Sequence, residues 1–70
     1  GTGLVMMITG GDDGRVITKE INSQQPGQRF FDLTGNVSGI VETDSNGTGR
    51  FRVINSADKG WSIWVPLQED

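Results

Sequence analysis

A chain of 70 residues with eleven glycines, no cysteine, no histidine and a net charge of −3 is at most one domain. Disulfides are excluded, and so are Ser–His and Cys–His nucleophilic sites, which need a base to orient the nucleophile. The negative balance argues against a nucleic-acid backbone or an anionic membrane surface as partner, because both reward basic patches.

No apolar run approaches the roughly 20 residues of a helical membrane span. A chain this short buries only about 60% of its unfolded surface, so a metal, self-association or a larger protein around it is expected to add stability. One alanine, three leucines and many Gly, Asn, Ser, Asp and Thr form a strand-and-turn composition rather than a helical one.

In chain order, Leu4-Val5-Met6-Met7-Ile8 is a continuous apolar run between glycines, which predicts a strand covered on both faces. Thr9 to Gly14 is a turn, and Arg15 to Ile21 reads as a second strand forming a hairpin with the first. Pro26-Gly27 turns the chain again before a third strand over Phe30 to Thr34. In that strand Phe31 and Leu33 share one face, and Phe30 and Asp32 the other. Gly35-Asn36 makes a corner, after which Val37 to Thr43 alternates, with Val37, Gly39 and Val41 opposite Ser38, Ile40 and Glu42. Asp44 to Gly47 is a hairpin-type turn into a fifth strand over Gly49 to Asn55, with Phe51 and Val53 inward and Arg50 and Arg52 outward. Trp61 to Pro66 is the sixth strand: Trp61, Ile63 and Val65 form the expected core face, and Trp64 points away from it.

Six short strands at regular spacing with no helical period predict an all-β fold, a small antiparallel Greek-key sandwich occupying residues 1–70 as one domain. Most of the nine carboxylates fall in turns or at strand ends, and six short strands offer little of the cleft that a pair of catalytic carboxylates needs. Asp12 and Asp13 in their glycine loop are the candidates for a hard cation such as calcium, against the plainer reading of a solvated turn. The stretch from Asp44 lacks the glutamate a calcium loop needs at its twelfth position, where Asn55 stands. Two glycosylation sequons, at Asn36 and Asn46, matter only in a secreted eukaryotic protein. Trp64 is the outstanding aromatic. With Phe30 and Ile40 it is expected to make an apolar patch for another domain or subunit, or a stacking platform for a sugar.

The order of several segments carries a resemblance. Gly3-Leu4-Val5-Met6-Met7-Ile8-Thr9-Gly10-Gly11, Phe30-Phe31-Asp32-Leu33-Thr34-Gly35-Asn36, Gly49-Arg50-Phe51-Arg52-Val53 and Trp61-Ser62-Ile63-Trp64-Val65 follow one another at matching spacing. Together they resemble the C-terminal β domain, domain C, of bacterial liquefying-type α-amylases. Those domains carry Gly-Leu-Ala-x-x-Ile-Thr-Asp-Gly, an aromatic strand ending Trp-x-Asp-Ile-Thr-Gly-Asn, a Gly-x-Phe-x-Val strand and a final Val-Ser-Ile-Tyr/Trp-Val.

The resemblance implies a non-catalytic domain whose partner is the (β/α)8 barrel of a parent glycoside hydrolase acting on starch and related α-glucans. The catalytic carboxylates of such enzymes lie on that barrel, and nothing in this chain corresponds to them. Some relatives place calcium between barrel and domain C through the aspartate of Ile-Thr-Asp-Gly, and Gly10 stands at that position here. The stretch that opens domain C in those enzymes is absent, so a missing first edge strand is expected. The resemblance also implies that Asp32, Thr34, Gly35 and Asn36 form a sheet corner rather than a site. An α-glucan-binding module and a stand-alone structural or interaction domain are the alternatives, and self-association is expected when the domain is isolated from its barrel. The compartment follows from the parent and is not set by these residues.

Overall fold

The computed structural model describes residues 3–67. Their strands are β1 (Val5–Ile8), β2 (Val16–Asn22), β3 (Arg29–Asp32), β4 (Ile40–Glu42), β5 (Thr48–Ile54) and β6 (Trp61–Pro66). They form a four-stranded sheet in the order β1-β6-β3-β4 and a two-stranded sheet of β2 and β5, with every paired neighbour antiparallel. The chain turns from β3 to β4, crosses to β5, and returns as β6 beside β3, which is Greek-key order. The fold is therefore the expected small β-sandwich.

The core lies between the sheets and is built around Phe51. Its ring meets Phe30 edge-on at 5.3 Å and Trp64 at 5.9 Å between centroids, with Val5, Met7, Val37, Val41 and Val53 closing around them. Edge-to-face pairs of this kind add about 1 kcal/mol each beyond the area they bury. β5 supplies Phe51 and Val53 inward and turns Arg50 outward, as its alternation predicts.

Three sequence expectations are corrected. β1 and β2 do not form a hairpin: β1 pairs with β6 and β2 with β5, so residues 9–15 carry the chain from one sheet to the other. That crossing is held by Thr9, whose hydroxyl donates to the Ile54 carbonyl, and by Gly14 N–H, which donates to Asn55 O at 2.8 Å. β1 is not covered on both faces: Val5 and Met7 are buried, while Met6 and Ile8 are exposed.

The third correction concerns β6. Its inner face is Ser62 and Trp64, and its outer face is Trp61, Ile63 and Val65. Counting apolar residues favours the wrong face, because both faces of this strand are largely apolar. The inner serine is tolerated because its hydroxyl donates to the Arg52 carbonyl at 2.9 Å and accepts the Trp64 indole N–H at 3.1 Å.

Candidate interaction face

The corner after β3 is built on one carboxylate. Asp32 is buried, and its Oδ1 accepts the backbone N–H groups of Thr34 and Ile63, both at 3.0 Å. Its Oδ2 accepts the Val37 N–H at 2.9 Å and the Thr34 hydroxyl at 2.7 Å. Thr34 Oγ1 in turn accepts Asn36 N–H, and Gly35 holds a φ of 76° that a side chain would resist. Burial pushes the Asp32 carboxyl up, but the N–H of Ile63, the Thr34 hydroxyl and the N–H groups of Val37 and Thr34 outweigh it and hold the group below the ordinary carboxylate range. The local contacts follow from the sequence. The bond to Ile63 on β6 does not, and it makes Asp32 a bolt between β6 and the corner. With its lone pairs so committed, Asp32 is unavailable as a general base.

The candidates from the sequence are scattered. Trp64 and Phe30 are fully buried in the domain's own core, with 0% exposure, so neither lines a surface patch; Ile40 alone of the three is exposed. The patch expected at Trp64 is therefore corrected: the indole packs on Phe51 from inside, because Ser62 rather than Trp61 shares its face.

Asp12 and Asp13 are turn acceptors. Asp12 Oδ1 takes the Ala57 N–H, and Asp13 Oδ1 takes the Arg15 N–H at 3.0 Å and the Asn55 amide at 2.9 Å. The Arg15 N–H and the Asn55 amide hold Asp13 below its usual range. Among the described residues no group of His, Cys, Asp and Glu side chains could hold a metal ion. Gly10 brings no carboxylate to this loop, and Asp13 spends its Oδ1 on the loop itself.

The surface that composition and counting missed is the outer face of the four-stranded sheet. Register places Ile8 beside Trp61 and Met6 beside Ile63, and sets Phe31 between Val65 and Ile40. Trp61 is 47% exposed, Met6 57% and Ile8 76%. Met6, Ile8, Trp61 and Ile63, with Ala57 and Gly60, rim an open hollow of about 470 Å³. In the strands, the charges on this face are Arg29 and Glu42, which face each other at 3.7 Å across β3 and β4. The two-stranded sheet is the opposite in character: Lys19, Glu20 and Arg50 are exposed, with Glu20 and Arg50 3.6 Å apart. A second hollow, of about 740 Å³, lies where β4 meets β5 and is lined largely by Thr18, Glu42, Asp44, Thr48, Arg50 and Arg52, with no aromatic ring.

A small sandwich with one charged sheet, one apolar outer face and a committed buried carboxylate is the anatomy of an accessory β domain. The family model described as Alpha-amylase C-terminal matches residues 8–65. A curated α-amylase of Geobacillus stearothermophilus is 39% identical over 66 residues, covering 94% of this chain and 11% of the relative. The chain belongs to the α-amylase C-terminal domain family.

Proposed function

We propose that this chain is the non-catalytic β domain of a longer α-amylase, and that its task is to pack against and stabilise the catalytic barrel of that parent. The parent hydrolyses starch and related α-1,4-glucans. The observation that carries the reading is the family match together with its extent: nearly the whole chain corresponds to 11% of an α-amylase. The chemistry supports it. Asp32, the buried carboxylate, is saturated by backbone and hydroxyl donors, and Asp12, Asp13 and Asp58 serve the loops around them.

The test is to assay the full-length protein and this chain alone for release of reducing ends from soluble starch. The full-length protein is expected to hydrolyse starch and the chain alone to be inert. Hydrolysis by the chain alone, or a full-length protein inert toward α-glucans, overturns the reading.

A further inference from the structure

We propose that the outer face of the four-stranded sheet, centred on Trp61, is the surface by which this domain docks onto the catalytic part of its own parent chain. The inference rests on the reading above and adds which face makes the contact and through which residues.

The two sheets differ in what they show to water. One outer face carries Glu20 and Arg50, paired across β2 and β5; the other carries Met6, Ile8, Trp61 and Ile63 side by side across β1 and β6. Interface cores are depleted of charge and enriched in Trp, Met and Phe, and an apolar face of this kind on a small domain marks a contact surface. The hollow beside Trp61 is rimmed almost wholly by apolar atoms, with the Thr9 side chain committed to the carbonyls of Ile54 and Gly60. A sugar seated there would find few partners for its hydroxyls, whereas an apolar side chain from a protein surface would need none. The occupant is set by what is outside these residues: the matched relative is about nine times as long as the segment it shares with this chain. A surface on the same polypeptide is held at high effective concentration, so it wins the face over a second copy.

The chain contains its own references for the experiment. Met6 and Trp61 are exposed on the proposed face; Met7 and Trp64, the same residue types, are buried in the core; Val16 is exposed on the other sheet. Hydroxyl-radical footprinting of the full-length protein, read by peptide mass spectrometry, is run alongside its starch assay. Oxidation of Met6 and Trp61 is expected to fall about tenfold below that of exposed Met and Trp, toward the level of Met7 and Trp64, because an interface core excludes water. Val16 is expected to react as an exposed valine. Ile8→Asp, a change on the surface of the domain, is expected to shorten the full-length enzyme's half-life at elevated temperature by about threefold, with Val16→Asp without effect.

An active enzyme with Met6 and Trp61 freely oxidised overturns the face while leaving the parent reading intact. An inert full-length protein overturns that reading and the occupant with it. Protection that appears only on raising the protein concentration, or only on adding maltoheptaose, assigns the face to a second copy or to a glucan and overturns the proposal.

Discussion

The indole of Trp64 donates its N–H to the Arg52 carbonyl at 3.0 Å, while the Arg52 guanidinium lies 5.5 Å from the centre of the same ring. The carbonyl lies on the edge of β5 away from β2, where no strand is paired in the ladder. Trp64 and Ser62 thus terminate an open sheet edge with side-chain donors from the facing sheet. The Arg52 guanidinium over the ring adds a cation–π contact to a tryptophan that is fully buried.

Trp64→Phe removes the indole donor and part of the ring from a close-packed core. It is expected to cost about 2 kcal/mol, combining a lost hydrogen bond with a partly filled cavity. The urea midpoint of the domain measures it. Ser62→Ala, which leaves the indole bond to Arg52 O in place, is expected to cost about half as much.

Asp32→Asn preserves shape but turns an amide NH2 toward the donors that the carboxylate accepts. A loss of about 3 kcal/mol is expected, since hydrogen bonds to a charged acceptor are the stronger kind. The pH dependence follows from the lowered pKa. The unfolded chain takes up a proton at the ordinary aspartate value of about 3.9, before the folded state does. The contribution of Asp32 is therefore complete above that value and disappears as the pH falls through the folded pKa. Denaturant midpoints measured from pH 6 down to pH 2 are expected to drop steeply in the wild type and less steeply in Asp32→Asn. Asp13 and Asp58, also lowered, keep a residual slope in the variant.

Gly60 and Gly10 make a matched pair of substitutions. A Cβ on Gly60 would meet the Ser56 carbonyl and the Thr9 hydroxyl inside van der Waals distance, and that hydroxyl is held by the Ile54 and Gly60 carbonyls. Gly60→Ala is expected to cost more than about 2 kcal/mol, in the manner of an overpacked core site. Gly10 has open space around it and no positive φ, so Gly10→Ala is expected to fall within about 0.5 kcal/mol of the wild type. Thermal unfolding of the two variants separates them.

The strand content, the inward Phe51 and Val53, and the Asp32-Thr34-Gly35 corner were legible because each is a local signal: alternation, turn chemistry or a short side chain bonding its own backbone. Strand partners were not, because loops joining two sheets look in sequence like loops closing a hairpin; β1 finds β6 across most of the chain. The two tryptophans were exchanged for a related reason. Alternation assigns Trp61 and Trp64 to opposite faces but does not say which face is inside when the outer one is apolar as well. The deciding feature was the Ser62–Arg52 bond, a long-range contact that makes a hydroxyl acceptable in the core. Ile40 is exposed, and its cross-strand neighbour there is Phe31 rather than Phe30 or Trp64.

The central claim, that this β domain serves a catalytic barrel on the same chain, is tested most directly by truncation. The full-length enzyme and a version ending just before this domain would be compared for residual starch hydrolysis after timed incubation at elevated temperature. The account predicts that the truncated enzyme begins with the same catalytic chemistry but loses activity several-fold faster, as expected when a stabilising contact is removed. Equal decay of the two would contradict it.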